Sequence, residues 1–171
     1  MIRPAYVFLL TGICCLLELL LRNIGLFFPF CALFVFYVSI AFGRPWGIAA
    51  ACLGALSLDF IGTGAAHPWS ALALIGIALL SELWLRRAEA DSILMNFLPG
   101  LLIPPAVWLF SLLFFSQHFF SVVIEQFPSI FPVSVLSALC LPLMIFLLDS
   151  LNGKLQLPLF TDAKLKQKPR F

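Results

Sequence analysis

The sequence predicts an all-α membrane protein, a polytopic transmembrane bundle of about six helices. Three observations lead there. First, 63% of the residues are hydrophobic and only 11% charged, with a mean hydropathy of +1.10, whereas soluble domains average about 25% charged residues. Phe alone occurs 19 times, so the apolar excess is bulky rather than filler. Second, apolar runs long enough to cross a bilayer are separated by short polar breaks, at about 20 residues per crossing. Third, runs such as LLELLL and ALALIGIALL do not alternate as barrel strands do. In lipid only helices and closed barrels satisfy their own backbone.

The breaks place the elements in order. The first helix is expected over 5–21 (Ala5–Leu21), ended by Arg22 and Asn23. Arg3 followed by this apolar run resembles a secretory leader. It is longer than a typical leader core, carries Glu18 and lacks a small-x-small cleavage site, so it reads as an uncleaved first helix. The second is expected over 24–42, firm from Phe30 because Pro29 lies near its start. The third covers 46–61, after Gly43–Arg44–Pro45. The fourth covers 69–85, after a break rich in glycine and alanine that ends in His67 and Pro68. The fifth covers 93–115, after the charge-dense segment Arg86–Asp91. The sixth covers 130–148, with Ser116–Phe127 expected along the outer interface or against a partner. One transmembrane domain thus fills 1–149, and 150–171 reads as a basic cytoplasmic tail. Several spans are short and require local thinning of the bilayer or snorkelling side chains.

Charge sets the orientation. With six spans and the N-terminus inside, the inner segments hold Arg3, Arg44, Arg86, Arg87, Lys154, Lys164, Lys166, Lys168 and Arg170, and the outer ones only Arg22. Positive charge collects on the cytoplasmic side, so both ends are expected there.

Ionisable residues inside spans are costly and mark functional candidates. Glu18 and Arg22 are four apart and share one face of the first helix. Asp59 follows the apolar run AAACLGALSL and precedes Gly62–Thr63–Gly64, so its carboxylate is placed to accept turn N–H groups or to pair with Arg22. It reads either as a helix-end carboxylate or as part of a ligand or partner site. Glu82, four before Arg86, and Asp149 fall near the inner ends of helices four and six and read as structural.

Helix three carries Gly43, Gly47, Ala51 and Ala55 at four-residue spacing, with Ala50 and Gly54 alongside. Small residues in this pattern let helix backbones approach closely in lipid, so helix three is expected to be central. Pro99, Pro104, Pro105, Pro132 and Pro142 should bend helices five and six. The five cysteines sit in apolar stretches without metal-ligand spacing and read as small hydrophobes. His67 and His118 stand alone. Nucleotide-binding loops, nucleophile elbows and zinc-protease motifs are absent. No catalytic residue, cofactor, metal or nucleic-acid partner is expected.

The stretch FPFCALFVFYVSIAFGRPWG, then GIAAACLGALSLDFIGTG ending in an aspartate, then ALALIGIALLSELWLRR, resembles the rod shape-determining protein MreD family, over roughly residues 24–87. By that resemblance Asp59 matches the family's aspartate and Gly47 and Gly54 its packing glycines. Ala55 stands where the family usually has glycine, and Ala65–Ala66–His67–Pro68 where it commonly has Leu-Gly. The resemblance implies a non-catalytic, multi-pass protein of the bacterial inner membrane. Such a protein works in the cell-shape machinery for peptidoglycan side-wall synthesis, with an MreC-like partner and, through it, MreB filaments and the cell-wall synthase. It also implies a fold like the substrate-binding subunits of energy-coupling-factor vitamin importers. Such an importer subunit is the rival function, and it predicts a polar or aromatic cavity open to the outside near Glu18, Asp59 and His118.

Overall fold

The computed structural model describes residues 2–63, 70–87, 94–115 and 119–166, and all of the elements among them are helical. They are α1 (Ile2–Asn23), α2 (Phe30–Ala41), α3 (Arg44–Leu56) with a π-helical continuation (Ser57–Thr63), α4 (Ser70–Arg87), α5 (Leu94–Phe115), α6 (Phe119–Lys154) and α7 (Phe160–Lys166). His67, His118, the centre of the charge-dense segment and the last five residues, 167–171, lie outside the described residues. Among the described residues, three segments are long and apolar enough to cross a membrane: Arg3–Asn23, Arg44–Gly62 and Phe127–Lys154. Phe30–Ala41, Ser70–Leu85 and Asn96–Leu112 are shorter apolar helices.

The centre of the bundle is α2, not the glycine-rich helix that the small-residue spacing pointed to. Every residue from Cys31 to Ala41 is buried. The reason is compositional: α2 is apolar on all sides, and such a helix has no face to give to solvent. Its two polar side chains are satisfied locally or across the bundle. Ser39 Oγ donates to the Val35 carbonyl at 2.7 Å, and Tyr37 Oη donates to Asp149 at 2.7 Å. At 12 residues and about 1.5 Å per residue, α2 is roughly 18 Å long, short of the ~30 Å hydrocarbon core. Residues 24–29 do not extend it. Gly25 takes a left-handed φ of +81°, and Pro29 disfavours helix in the residue before it.

Against this core, α3 lays its small face. Ala50, Ala51 and Ala55 are fully buried, as are Gly47 and Gly54. A Cβ on Gly47 would come within 2.9 Å of Ser39 Cα, and one on Gly54 would strike Cys31 Sγ. Gly43, expected among these packing residues, has a different task. It precedes α3 with φ +94°, and a Cβ there would meet only Pro45, at 3.9 Å. It turns the chain where an L-residue would be strained. A close approach of the same kind joins α5 to α6, where a Cβ on Gly100 would lie 2.6 Å from the Ser137 carbonyl and 2.7 Å from Ala138 Cα.

Successive helices run antiparallel. Tyr6 packs on Phe42 while Glu18 reaches Cys31, so α1 opposes α2. Gly47 meets Ser39 while Gly54 meets Cys31, so α2 opposes α3. The bundle therefore has two ends. One gathers the C-terminal part of α1, the start of α2, the π-helical segment, the start of α4 and the C-terminal half of α5. The other gathers the start of α1, the ends of α2, α4 and α6, the start of α5, and α7.

Two expectations change at α6 and beyond. The sixth helix is not confined to 130–148 but runs for 36 residues from Phe119, taking in most of the stretch expected at the interface. Pro128, Pro132 and Pro142 lie inside it without ending it. Such interruptions are tolerated in membrane helices because neighbouring helices and side chains re-satisfy the freed backbone. Residues after 149 are not a plain tail: the chain turns at Gln156, with φ +54°, and folds back as α7. Leu157, Phe160 and Lys164 are buried.

Candidate functional site

Each of three carboxylates inside the bundle meets the first turn of another helix. The first few N–H groups of a helix have no partner within it, and the dipole favours negative charge there. Glu18, 2% exposed, sits five residues from the end of α1. Its Oε2 accepts the backbone N–H of Cys31 at 3.0 Å, and its Oε1 accepts Arg22 Nη2 at 2.7 Å. Pro29 precedes α2 without capping it, so the carboxylate of α1 does so instead. Asp59, 8% exposed, stands in the π-helical segment. Its Oδ2 accepts both the N–H and the hydroxyl of Ser70, each at 2.8 Å, at the start of α4. Asp149 on α6 accepts Phe160 N–H at 2.9 Å, Thr161 N–H at 3.1 Å and the Thr161 hydroxyl at 3.0 Å. It thereby holds the start of α7.

The Asp149 cluster is the most extended polar network in the described core. Tyr37 donates to Asp149 and accepts Asn152 Nδ2 at 2.8 Å, and Asn152 Nδ2 also reaches the Pro158 carbonyl at 3.0 Å. Phe160 stacks on the Tyr37 ring at 5.8 Å between centroids. Lys164 places its ammonium 5.7 Å from the centre of the Trp84 ring and 3.1 Å from Asn96 Oδ1. Sequence reasoning read Asp149 as a structural or interfacial acid near the tail lysines. The available signal was Pro158 followed by Thr161, a helix-start pattern, which the basic composition of the segment obscured.

At the opposite end the structure brings Glu18, Arg22 and Asp59 together. A cavity of about 320 Å³ is lined by Arg22, Phe27, Asp59, Ser70, Val107, Trp108, Phe110 and Ser111. Arg22 is one-third exposed and pairs with Glu18. Its Nε is buried with no hydrogen-bond partner among the described residues, and its guanidinium lies 5.8 Å from the centre of the Phe27 ring. A second, mainly apolar cavity of about 670 Å³ shares Phe27 and Trp108 with the first and runs between the α1–α2 connection and α6. The α5 residues Trp108 and Ser111 were not anticipated as lining residues, since nothing in their local spacing marks them. The packing residues Gly47, Ala51, Gly54 and Ala55 lie instead on the buried α3 face. The expected Glu82–Arg86 pairing involves an Arg86 side chain outside the described set.

Cys15 and Cys31 bring their sulfurs to 3.8 Å beside Glu18, and Cys15 also faces the Gly54 carbonyl at 3.8 Å. Among the described residues, no group of three His, Cys, Asp or Glu side chains is placed to hold a metal. Comparison with protein-family models, with curated proteins and with solved structures finds no match to this chain.

Proposed function

We propose that the chain crosses a bacterial inner membrane six times, with both termini in the cytoplasm, and acts as a non-catalytic scaffold of the cell-shape complex. In this reading it resembles the MreD family and contacts an MreC-like partner and, through it, MreB filaments and the peptidoglycan synthase. The observation that carries the reading is the employment of the acids. Glu18, Asp59 and Asp149, the groups first in line for chemistry, each hold another helix by its N-terminus. The outer surface meanwhile stays apolar along the helices, with Ile61, Phe131, Leu143 and Phe146 more than half exposed. A protein built this way interacts through helix faces in the bilayer. The orientation is supported by charge: Arg3, Arg44, Lys154 and Lys164 fall at one end of the antiparallel bundle and Arg22 at the other, an asymmetry that favours the first end inside.

Gentle crosslinking in the native membrane, followed by purification and identification of what accompanies the protein, tests this. MreC-like and synthase partners, with rounding of rod-shaped cells on depletion, are the expected outcome. Tags on the two termini should report the same side of the membrane. A second reading, the substrate-binding subunit of an energy-coupling-factor vitamin importer, is favoured by the cavity lined by Arg22, Asp59, Trp108 and Ser111. Recovery of a paired ATPase and a bound vitamin would replace the first reading with the second.

A further inference from the structure

The helices divide into two packed units. In the first, a Cβ on Gly54 would meet Cys31 of α2, Leu74 of α4 and Thr11 of α1 together, so α1 to α4 interlock around α3. In the second, α5 and α6 pack chiefly on each other among the described residues, most closely where Gly100 faces Ser137 and Ala138. The units are tied at the α7 end, where Lys164 reaches Asn96 and Asp149 accepts the Tyr37 hydroxyl. They also meet at mid-depth through the buried Ile103. Toward the Arg22 end they part. The cavities of about 320 and 670 Å³ both lie in that cleft, with Arg22 and Leu21 on one wall and Val107 and Ile130 on the other.

The contact of Gly100 with Ser137 fixes the register of the antiparallel pair. Five residues on from Gly100 stands Pro105, and five back from Ser137 stands Pro132. Each is about 7.5 Å nearer the Arg22 end at 1.5 Å per residue, so the two prolines are level. Pro105 offers no N–H to the Leu101 carbonyl and Pro132 none to the Pro128 carbonyl. Both helices therefore lose a backbone hydrogen bond at one depth. Pro104 removes another, at the Gly100 carbonyl, and the Ser137 hydroxyl in the same contact is buried with no partner among the described residues. One proline bends one helix, and a bend in one arm of a hairpin would shear it against the other. Two at the same level let both arms bend together. Pro99 and Pro142 have no such counterpart, since Ala138 and Met95 stand level with them. From this coincidence we infer that the α5–α6 hairpin is hinged at the Pro105–Pro132 level, and that its segments 106–112 and 127–131 swing against α1–α4 as a lateral gate on the cleft.

Little holds the segments beyond the hinge. Of 106–112, Val107 is the residue packed against the apolar core, while Leu109, Phe127 and Phe131 are exposed. Their inward side borders cavity rather than packed side chains. A swing therefore gives up few contacts, and lipid tails, as apolar as the side chains they meet, cover what it uncovers. The other end is fixed by the Tyr37, Asp149 and Asn152 network and by Phe160 stacked on Tyr37. A hinge needs such a base, and a few residues that absorb the change in backbone angle. A scaffold or an importer subunit would carry this gate equally, so it goes beyond the function proposed above and does not depend on it.

The test uses the full chain in lipid nanodiscs, with spin labels on genetically encoded ketone side chains so that the five cysteines stay in place. One pair of labels replaces Leu20 of α1 and Phe127 of α6, both more than half exposed, at the Arg22 end. A reference pair replaces Leu83 of α4 and Phe146 of α6, also more than half exposed, toward the α7 end. Pulsed electron paramagnetic resonance reads the distance distribution of each pair. The first distribution should be about twice as wide as the reference. Pro105→Ala/Pro132→Ala gives both helices back their N–H donors and should narrow the first distribution to about the reference width. Pro142→Ala, which restores a donor away from the paired level, should leave it unchanged. If the double variant fails to fold, Pro132→Ala alone, at an exposed side chain, should still narrow it. A first distribution no wider than the reference, a width that survives the proline replacements, or equal narrowing by Pro142→Ala would overturn the inference.

Discussion

Replacing Asp149 with leucine should loosen the docking of α7 without unfolding the bundle. The helix has seven residues, far below the length at which an isolated helix is stable, so its order depends on what holds it. Asp149 accepts two backbone N–H groups and one hydroxyl from its first turn. Hydrogen bonds to a charged acceptor are worth about 1.5–3 kcal/mol each. The three share one partly exposed carboxylate and are not additive, so their joint contribution falls below the simple sum, at about 3 kcal/mol. At about 1.4 kcal/mol per factor of ten, local opening of α7 should rise about a hundredfold. The anchor that remains is Phe160, fully buried and stacked on Tyr37, worth about 1.5–3 kcal/mol. It keeps the helix largely docked even in the variant. Hydrogen exchange of the peptide spanning Leu157–Lys166 is the assay, with α1 peptides as internal reference. Asp149→Asn keeps one acceptor oxygen without the charge, so it should lie between the wild type and Asp149→Leu. Unchanged protection of α7 in Asp149→Leu would refute the capping argument. A uniform loss across α1 and α7 would show that the carboxylate holds the whole bundle instead.

Other expectations follow from the same geometry. Gly100→Leu should destabilise the bundle by about 3 kcal/mol, the upper end of the overpacking range, because a neighbouring backbone cannot move aside. Gly76→Leu, where a Cβ meets nothing within 4 Å, should change stability by less than about 0.5 kcal/mol; unfolding titrated with a denaturing detergent compares the two. Mild oxidation should join Cys15 to Cys31, whose sulfurs are 3.8 Å apart, lowering the titratable thiols from five by two, and Cys31→Ser should abolish the loss. Glu18→Leu leaves Arg22 without its carboxylate and the Cys31 N–H without its acceptor, a combination expected to cost about 3–5 kcal/mol. In the double variant Glu18→Leu/Arg22→Leu part of that cost should be regained, and a double-mutant cycle in the same titration measures how much.

The all-helical character and the presence of helices apolar and long enough to cross a membrane were legible because lipid imposes a simple rule: spans must be apolar and helical, and breaks must be polar. The α3 face at Gly47, Ala51, Gly54 and Ala55 was also legible, because small residues at four-residue spacing have a direct geometric meaning. Gly43 fitted the same spacing for an unrelated reason, a left-handed turn, and spacing alone cannot separate the two. The centrality of α2 was available in principle, since the stretch from Cys31 to Ala41 has no charged position. It was masked by the more conspicuous glycine pattern next to it. The start of α2 was blurred because residues 24–28 are as apolar as a helix while Gly25 and Pro29 keep them out of one. The continuation of α6 upstream of Ile130 was read as interfacial because Gln117, His118 and Glu125 interrupt an otherwise apolar, aromatic stretch. Concealing α7 was a burial that composition argues against: Lys164 is 7% exposed because Trp84 and Asn96 receive it. The cavity at Arg22 depends on residues from α1, the π-helical segment, α4 and α5. No local period links them.

The acids raise a more general point about reading membrane sequences. A carboxylate in a span is expensive, and its presence invites a functional reading. A helix that starts within protein rather than in the head groups carries its own expense, because its first N–H groups face no water. In this chain the two costs offset one another three times: Glu18 at α2, Asp59 at α4 and Asp149 at α7. Cap and helix are separated by 13, 11 and 11 residues, so each acid lies just upstream of the helix it holds, across one turn of the chain. A span acid followed at that distance by a proline or serine at a helix start is therefore a capping candidate before it is a proton carrier. Applied here, the count leaves Arg22 as the charged group in the described core with a buried donor still open.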